Sequence, residues 1–161
     1  MKQLKSKENM TLVDVRLSEI QGIHPAIQYI AGTTADIMYA SAPDDYSELT
    51  LRYLLAFHPI HVVELNTQLF VVAGFRSLEL ARLRLPTESV VPCLLHTVIE
   101  NDELTQIAMT DIAGSPIMHS LGPKFVQQLQ NLVQAFGEPL LKLFPRLQSI
   151  RRIRGPKKTA L

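Results

Sequence analysis

The stretch 58–85 constrains the fold most, because its spacing of apolar residues changes from strand-like to helical at a single glycine. Two short apolar runs, 60–65 and 69–72, flank an asparagine–threonine pair that can turn the chain. After Gly74, the apolar residues Leu78, Ala81 and Leu85 recur at helical spacing, until Pro86 ends the pattern. The stretch therefore predicts a strand, a turn, a second strand and a helix that begins at the glycine.

The turn at Gly74 is the best candidate for a binding site. A glycine lets the backbone approach a ligand closely, and the free amides and dipole of a helix start favour an anion. Arg76 could add a forked contact, and Ser77 a hydroxyl. In the alternative interpretation, Arg76 pairs with Glu79 or Asp111 on the surface, and Ser77 is an ordinary helix-start residue. The predicted phosphate-binding residues are Gly74, Phe75, Arg76 and Ser77.

Further elements are predicted on both sides of this stretch. Strands are expected at 12–15 and 90–95, and Pro92 indicates that the latter is an edge strand or begins there. Helices are expected at 46–57, with Ser47 or Asp45 as its cap, and at 101–113. The inward residues of the first helix are predicted to be Leu49, Tyr53 and Leu54, and Glu79 is able to pair with Arg82 on the helix after Gly74.

The clearest helical pattern lies near the end of the chain. Its apolar stripe is interrupted at Gly137, which can end the helix. The stripe consists of Phe125, Val126, Leu129, Leu132, Val133 and Phe136. It packs either on the core of the same chain or, within 123–154, on a second copy or a protein partner.

Composition excludes several classes of protein. The chain has 161 residues, of which 47% are hydrophobic, so one globular domain with a real core is expected. No apolar run has the length of a membrane span, and the first residues lack the pattern of a secretory signal, so we expect a cytoplasmic protein. The single Cys93 most simply packs as a small apolar residue. His58 and His61 should face opposite sides of a strand, so neither a metal site nor a catalytic residue is predicted.

Positive charge is concentrated at the two ends of the chain. Beyond Glu138 there are seven basic residues and no acidic one, although the net charge of the whole chain is only +1. Basic tails attract nucleic acid through its phosphates, and they can also solubilise a protein or bind an acidic partner. The residues predicted to contact nucleic acid are Arg151, Arg152, Arg154, Lys157 and Lys158.

The order of these elements resembles the N-terminal domain of the ParB family, within the ParB and sulfiredoxin-like superfamily. The resemblance covers roughly residues 11–115 and is strongest over 58–95. Its motifs are His58-Pro59-Ile60-His61-Val62, the turn-helix 69–82 (LFVVAGFRSLELAR), and Val91-Pro92-Cys93. In the family these look like a Pro-Ile-x-Val strand, a LVAGERRxRAA turn-helix and a VPV strand.

The resemblance implies a ligand, and the departures limit the chemistry. ParB proteins bind CTP, so CTP or another nucleotide is the implied cofactor at 74–77. Phe75 and Ser77 replace an acid and an arginine of the family's Gly-Glu-Arg-Arg. Of the downstream Glu-Asn-x-x-Arg motif, which helps to hold magnesium and phosphates, the corresponding stretch keeps only Asp111. Magnesium binding is therefore not implied, and at most weak nucleotide hydrolysis is expected.

These observations lead to one interpretation with two alternatives. We expect an α+β fold, a small mixed sheet with packed helices, followed by C-terminal helices. The domain limits are a basic segment at 1–10, a ParB-like domain at 11–116, a helical region at 117–154 and a basic tail at 155–161. The leading function is a bacterial, DNA-associated, non-enzymatic protein of plasmid or chromosome partition or of a mobile element, binding DNA without sequence specificity and forming homo-oligomers. The alternatives are a nucleotide-dependent enzyme (a CTPase or phosphotransferase) and a ligand-free interaction scaffold.

Overall fold

A mixed sheet of five strands organises the protein. The computed structural model describes residues 10–32, 43–97, 99–114 and 125–144. The strands are β1 (Met10–Arg16), β2 (Ile20–Ile23), β3 (Ile60–Leu65), β4 (Gln68–Ala73) and β5 (Val90–His96). In space they follow the order β1-β5-β3-β4-β2, with β1–β5 and β3–β4 antiparallel and β3–β5 and β2–β4 parallel. The predicted α+β class is confirmed.

Helices cover both faces of this sheet. They are α1 (Gln28–Gly32), α2 (Glu48–Phe57), α3 (Phe75–Arg84) and α4 (Asn101–Met109). A further helix, α5 (Phe125–Leu143), follows them in the chain. A π-helical turn, Thr110–Gly114, continues α4. One core lies between the sheet and α2 and α3, and a second lies between the other face of the sheet and α1 and α4. Strands β3 and β4 are therefore buried on both faces, which explains why these two strands are rich in aliphatic residues.

The hairpin between β3 and β4 confirms the turn predicted from the sequence. Asn66 and Thr67 both have positive φ angles, 52° and 65°. Two consecutive left-handed residues are characteristic of the two-residue hairpin turn whose twist matches that of the flanking strands. The hairpin places the end of β4 beside the start of β3.

Helix α2 begins where its capping residue predicts, but it buries a different face. The Ser47 hydroxyl accepts a hydrogen bond from the backbone N–H of Thr50 at 3.1 Å, as an N-cap should. The prediction that Leu49 and Tyr53 point inward is wrong, since their exposed fractions are 54% and 53%. The buried residues are Thr50, Leu51 and Leu55. Apolar residues surround most of this helix, so its pattern does not select the inner face.

Pro92 does not mark an edge strand. Strand β5 lies between β1 and β3, and Pro92 stands opposite Asp14 of β1. Pairing between β5 and β3 covers only Cys93 to His96 on the β5 side, so it begins one residue after the proline. The proline therefore occupies a part of β5 that has a neighbour on one side, where a missing backbone donor can be tolerated.

Helix α3 buries the residues expected from its spacing and forms a different set of polar contacts. Leu78, Ala81 and Leu85 are buried, as predicted. The pair expected between Glu79 and Arg82 is not the one that forms. Glu79 pairs with Arg76 at 2.7 Å, while Arg82 donates to the Ile20 carbonyl oxygen of β2 at 2.6 Å. The sequence pattern did not predict β2, the edge strand that this arginine contacts.

The C-terminal helix is broken where the sequence indicated. Gly137 has φ 52° and ψ −126°, which separates two helical segments within α5. Val133 of the predicted stripe is buried, whereas Phe136 is 59% exposed. The predicted basic tail 155–161 and the start of the predicted helical region 117–154 lie outside the described residues. Within the described ranges, no helix is both long and apolar enough to cross a membrane.

Candidate functional site

The start of α3 is built on a glycine that no other residue could replace without movement. Gly74 has φ 75° and ψ 33°, a left-handed conformation that side chains disfavour. A Cβ atom there would lie 2.9 Å from the Pro59 carbonyl oxygen and 3.1 Å from the Ile60 Cα. Both atoms belong to the backbone at the start of β3, so they cannot rotate away. The glycine thus turns the chain from β4 into α3 against the neighbouring strand.

The backbone amides at this turn hold an anion, and that anion belongs to the protein itself. Asp111 Oδ2 accepts hydrogen bonds from the Gly74 N–H at 2.8 Å and from the Phe75 N–H at 3.2 Å. The turn has no side chain that caps α3 locally, because its N-cap residue is the glycine. A carboxylate 37 positions away in the sequence therefore satisfies two free amides at the positive end of the helix.

Asp111 reaches the turn because α4 is anchored on the sheet. Leu104 and Ala108 of α4 are buried in the second core. The π-helical turn that follows carries Asp111 to the start of α3. The carboxylate position is therefore determined by how α4 packs, and not by residues close to the turn in sequence.

Arg76 and Ser77 lie at the turn, and each side chain makes a polar contact with a group other than the backbone amides of the turn. Arg76 pairs with Glu79 on the same helix, and the arginine side chain is 22% exposed. The Ser77 hydroxyl donates to the His58 carbonyl oxygen at 2.8 Å. The alternative interpretation of Arg76, a pair with Glu79, is thus what the structure contains. Phosphate binding by the four predicted residues stays a prediction.

A cavity of about 580 Å³ opens beside this turn. One part of its lining is polar: His58, His61, Gly74, Arg76, Ser77 and Asp111. The remainder is apolar or aromatic: Tyr46, Leu54, Phe57, Pro59 and Leu80. Pockets for small ligands commonly combine a mostly apolar wall with a few convergent polar groups, in a volume of about 300–1,000 Å³. The cavity has a volume in this range and combines an apolar wall with convergent polar groups.

His61, which lines the cavity, contacts a second histidine that the sequence pattern did not predict as its partner. His61 Nδ1 lies 3.0 Å from His96 Nε2, with ring centroids 5.2 Å apart. The prediction that His58 and His61 face opposite sides of a strand is wrong, because His58 precedes β3 and both residues line the cavity. The parallel pairing of β3 with β5 places Val63 opposite His96. His61 lies two residues from Val63, on the same face of β3, so this pairing, had it been known, would have indicated the contact.

Burial lowers the basicity of both rings. Burial lowers the pKa of His61, and the nearby Asp111 carboxylate opposes this effect by favouring the protonated ring. Burial, together with the neighbouring His61, lowers the pKa of His96 to about 4. Both effects favour neutral rings near pH 7, so one ring nitrogen can donate to the other.

The described residues do not include the ligands of an ordinary metal centre. Within residues 10–32, 43–97, 99–114 and 125–144, no group of three or more histidine, cysteine or acidic side chains is placed to hold a metal ion. The residues predicted to contact nucleic acid, Arg151 to Lys158, lie beyond the last described residue. The strongest site that the structure offers is therefore the cavity at the start of α3.

Comparison with known proteins finds similarity among solved structures. No protein-family model matches the chain, and no curated protein matches it either. Among solved structures it is similar to the C-terminally truncated chromosome-partitioning protein ParB from Caulobacter crescentus, crystallised with CTP-gamma-S. The two share 12% sequence identity with a TM-score of 0.48, over 78% of this chain and 64% of the other. This chain therefore spans less than two thirds of that protein.

Proposed function

We propose that this chain is a ParB-like, DNA-associated binding protein whose cavity at the start of α3 takes a phosphate-bearing nucleotide. The observation that carries the proposal is the pair of amides at Gly74 and Phe75, which converge on one carboxylate oxygen at the edge of a cavity. Donors arranged in this way suit a phosphate oxygen as well as a carboxylate oxygen. The resemblance of the motifs within 58–95 to those of the ParB family implies the same class of ligand.

The polar side of the cavity supports binding of the phosphate. The positive end of the α3 dipole points towards the cavity. Arg76 lines the same wall and carries a guanidinium that could turn from Glu79 to a phosphate. A phosphate offers more charge and more acceptor oxygens than the Glu79 carboxylate. The Glu79 side chain is 50% exposed, and ion pairs with an exposed partner contribute little to stability, so the exchange costs little.

The apolar side of the cavity supports binding of a base or sugar. Tyr46 and Phe57 contribute aromatic rings, and Leu54 and Leu80 contribute aliphatic surface. Phe57 is 73% exposed, so a ligand could cover a side chain that otherwise faces water. Stacking of a base on an aromatic ring is favourable for every base, so this wall does not select one nucleotide.

A calorimetric titration with CTP, ATP, GTP and inorganic phosphate tests the site. Arg76→Ala should weaken nucleotide binding about tenfold or more without changing the fold, whereas Arg76→Lys should keep part of the affinity. Arg52→Ala is the matched control, because Arg52 also pairs with a glutamate on its helix, at 2.8 Å, but does not line the cavity. Equal binding by the wild type and Arg76→Ala would mean that the site is misplaced.

The same titrations address the enzymatic alternative. Phe75 stands where the resembled family has an acid, so we expect phosphate release to stay at background with magnesium present. Magnesium-dependent release that Arg76→Ala abolishes would instead favour a nucleotide hydrolase.

Association with DNA is proposed from the basic tail. Replacing Arg151, Arg152, Arg154, Lys157 and Lys158 by glutamine keeps the length of the chain and removes five charges. If these residues neutralise DNA phosphates, the plot of the logarithm of the binding constant against the logarithm of the salt concentration should become less steep. Its slope should change by about 0.9 for each phosphate that is no longer neutralised. Mobility-shift titrations at two salt concentrations measure this slope. A variant that binds DNA as tightly as the wild type would remove the tail from the proposal.

One observation favours the scaffold alternative. Leu49, Tyr53 and Phe57 lie four residues apart along α2, and each is more than half exposed. An exposed apolar stripe of this kind suits a protein partner. If no nucleotide or phosphate binds, and substitution of these three residues by polar ones disrupts an isolated complex, the scaffold becomes the better interpretation.

A further inference from the structure

In the proposed site, the position that a phosphate oxygen would take is already occupied by the Asp111 carboxylate. Asp111 Oδ2 takes the hydrogen bonds of both amides at the turn, Gly74 N–H and Phe75 N–H. A phosphate oxygen cannot accept the same two hydrogen bonds while the carboxylate remains. A phosphate and the Asp111 carboxylate, side by side in a partly buried cavity, would also repel each other strongly. Ligand and carboxylate therefore exclude each other at this position.

The internal carboxylate has an advantage over a free anion. It is attached to α4, whose Leu104 and Ala108 are buried on the sheet, so it is held near the amides in advance. A tethered group acts at a high effective concentration, which a dissolved ion must exceed to replace it. Inorganic phosphate brings only charge and hydrogen bonds to this competition. A nucleotide also covers Tyr46, Leu54 and Phe57 on the apolar wall of the cavity.

We propose that Asp111 is an internal competitor that makes the site selective for phosphate carried on a larger, partly apolar ligand over free inorganic phosphate. The inference rests on the proposed nucleotide site and assigns a specificity-determining role within it. Entry of the ligand breaks both hydrogen bonds of Asp111 and releases the 110–114 turn from α3. Binding at the cavity is thereby linked to the end of α4.

The decisive experiment compares Asp111→Asn with Asp102→Asn by calorimetry. Asp102 lies exposed in the first turn of α4, so its variant removes one negative charge from the same element without touching the amides. The probes are inorganic phosphate and CTP. We expect the wild type and Asp102→Asn to bind CTP but not phosphate. Asp111→Asn should bind phosphate measurably and CTP about tenfold more tightly.

The outcomes separate this inference from the proposed function. Suppose that the wild type binds CTP through Arg76, and that Asp111→Asn binds CTP with the same or a lower affinity. Asp111 is then a helix cap or supports the ligand. In that case the inference is wrong, while the proposed nucleotide site stands. If neither protein binds either probe, both proposals fail. Phosphate binding by Asp111→Asn, with CTP but no phosphate bound by the wild type and Asp102→Asn, would support the competitor role.

A measurement on the wild-type protein covers the case in which the variant does not fold. The amide signals of Gly74 and Phe75 and the side-chain carboxyl carbon of Asp111 can be followed by NMR during a CTP titration. Displacement predicts that the carboxyl signal moves towards that of a solvated aspartate as the two amides acquire a new partner. Saturable binding with an unchanged Asp111 signal would overturn the inference.

Discussion

His61 Nδ1 and His96 Nε2 lie 3.0 Å apart, although the two histidines are 35 positions apart in the sequence. At this distance one nitrogen must donate a proton and the other must accept it, so the contact is compatible with two neutral rings or with one protonated ring. Protonation of both rings would place two N–H groups and two charges against each other. The contact therefore makes the stability of the sheet sensitive to acid.

The first prediction is that His96→Asn flattens the acid dependence of stability. The pKa of His96 is about 4 in the folded protein and 6.5 ordinarily, so the unfolded chain binds more protons between these values. The stabilising contribution is complete above pH 6.5 and is lost as the pH falls towards 4. Because the ring is partly exposed, we expect the wild type to lose about 1–2 kcal/mol more than the variant between pH 7 and pH 4.5. Denaturant titrations at the two pH values measure this, and equal losses would contradict it.

The second prediction concerns the glycine that begins α3. Gly74→Ala should lower the free energy of unfolding by about 2–4 kcal/mol, because the new Cβ adds a collision with the Pro59 carbonyl oxygen to an unfavourable φ angle. Gly22→Ala is the control, since its φ is also positive but no atom lies within 4 Å of the added Cβ. Urea denaturation should give the larger loss at position 74. Equal losses would show that the backbone angle alone matters.

The third prediction is a stabilising substitution in the β3–β4 hairpin. Thr67 is a β-branched residue with φ 65°, and Thr67→Gly would create the Asn-Gly pair that this type of turn prefers. We expect the melting temperature to rise, with a gain of about 1 kcal/mol. Thr87→Gly serves as the control, because Thr87 is exposed and has no positive φ angle, so it should lose stability. A loss at both positions would contradict the strain argument.

The fourth prediction is that Cys93 does not react in the folded protein. Its side chain is fully buried, and burial together with the charge of Asp14 raises the pKa of the thiol to about 12. Modification by a thiol reagent at pH 8 should be at least about a thousandfold slower than in denaturant, since it requires opening of the sheet. The chain has one cysteine, so the labelling signal has one source. Rapid labelling without unfolding would contradict the burial.

The elements that the sequence predicted well depend on neighbouring residues. The hairpin at Asn66, the helix start at Gly74 and the break at Gly137 all follow from the angles that these residues favour. Leu78 and Ala81 are buried as their helical spacing indicated. The fold class follows from these elements, because strands and helices with apolar faces must cover one another.

The errors arise where neighbouring residues leave a choice. Helix α2 carries apolar residues on several sides, and the pattern favoured Leu49 and Tyr53 over the truly buried Leu51 and Leu55. Pro92 suggested an edge strand because its missing N–H is evident from the sequence. The register of β5 against β3, which leaves Pro92 unpaired on that side, is not evident from the sequence. Both choices depend on which strand or helix lies alongside.

By itself, the sequence determined that residues 58–85 form a hairpin followed by a glycine-started helix with free amides, because periodicity and turn chemistry act over a few residues. Tertiary structure alone decided that the Asp111 carboxylate accepts from the amides of Gly74 and Phe75, and that His96 meets His61. These contacts join residues 35 to 37 positions apart. They form because burial of α4 and the pairing of β3 with β5 bring the partners together, which no local pattern specifies.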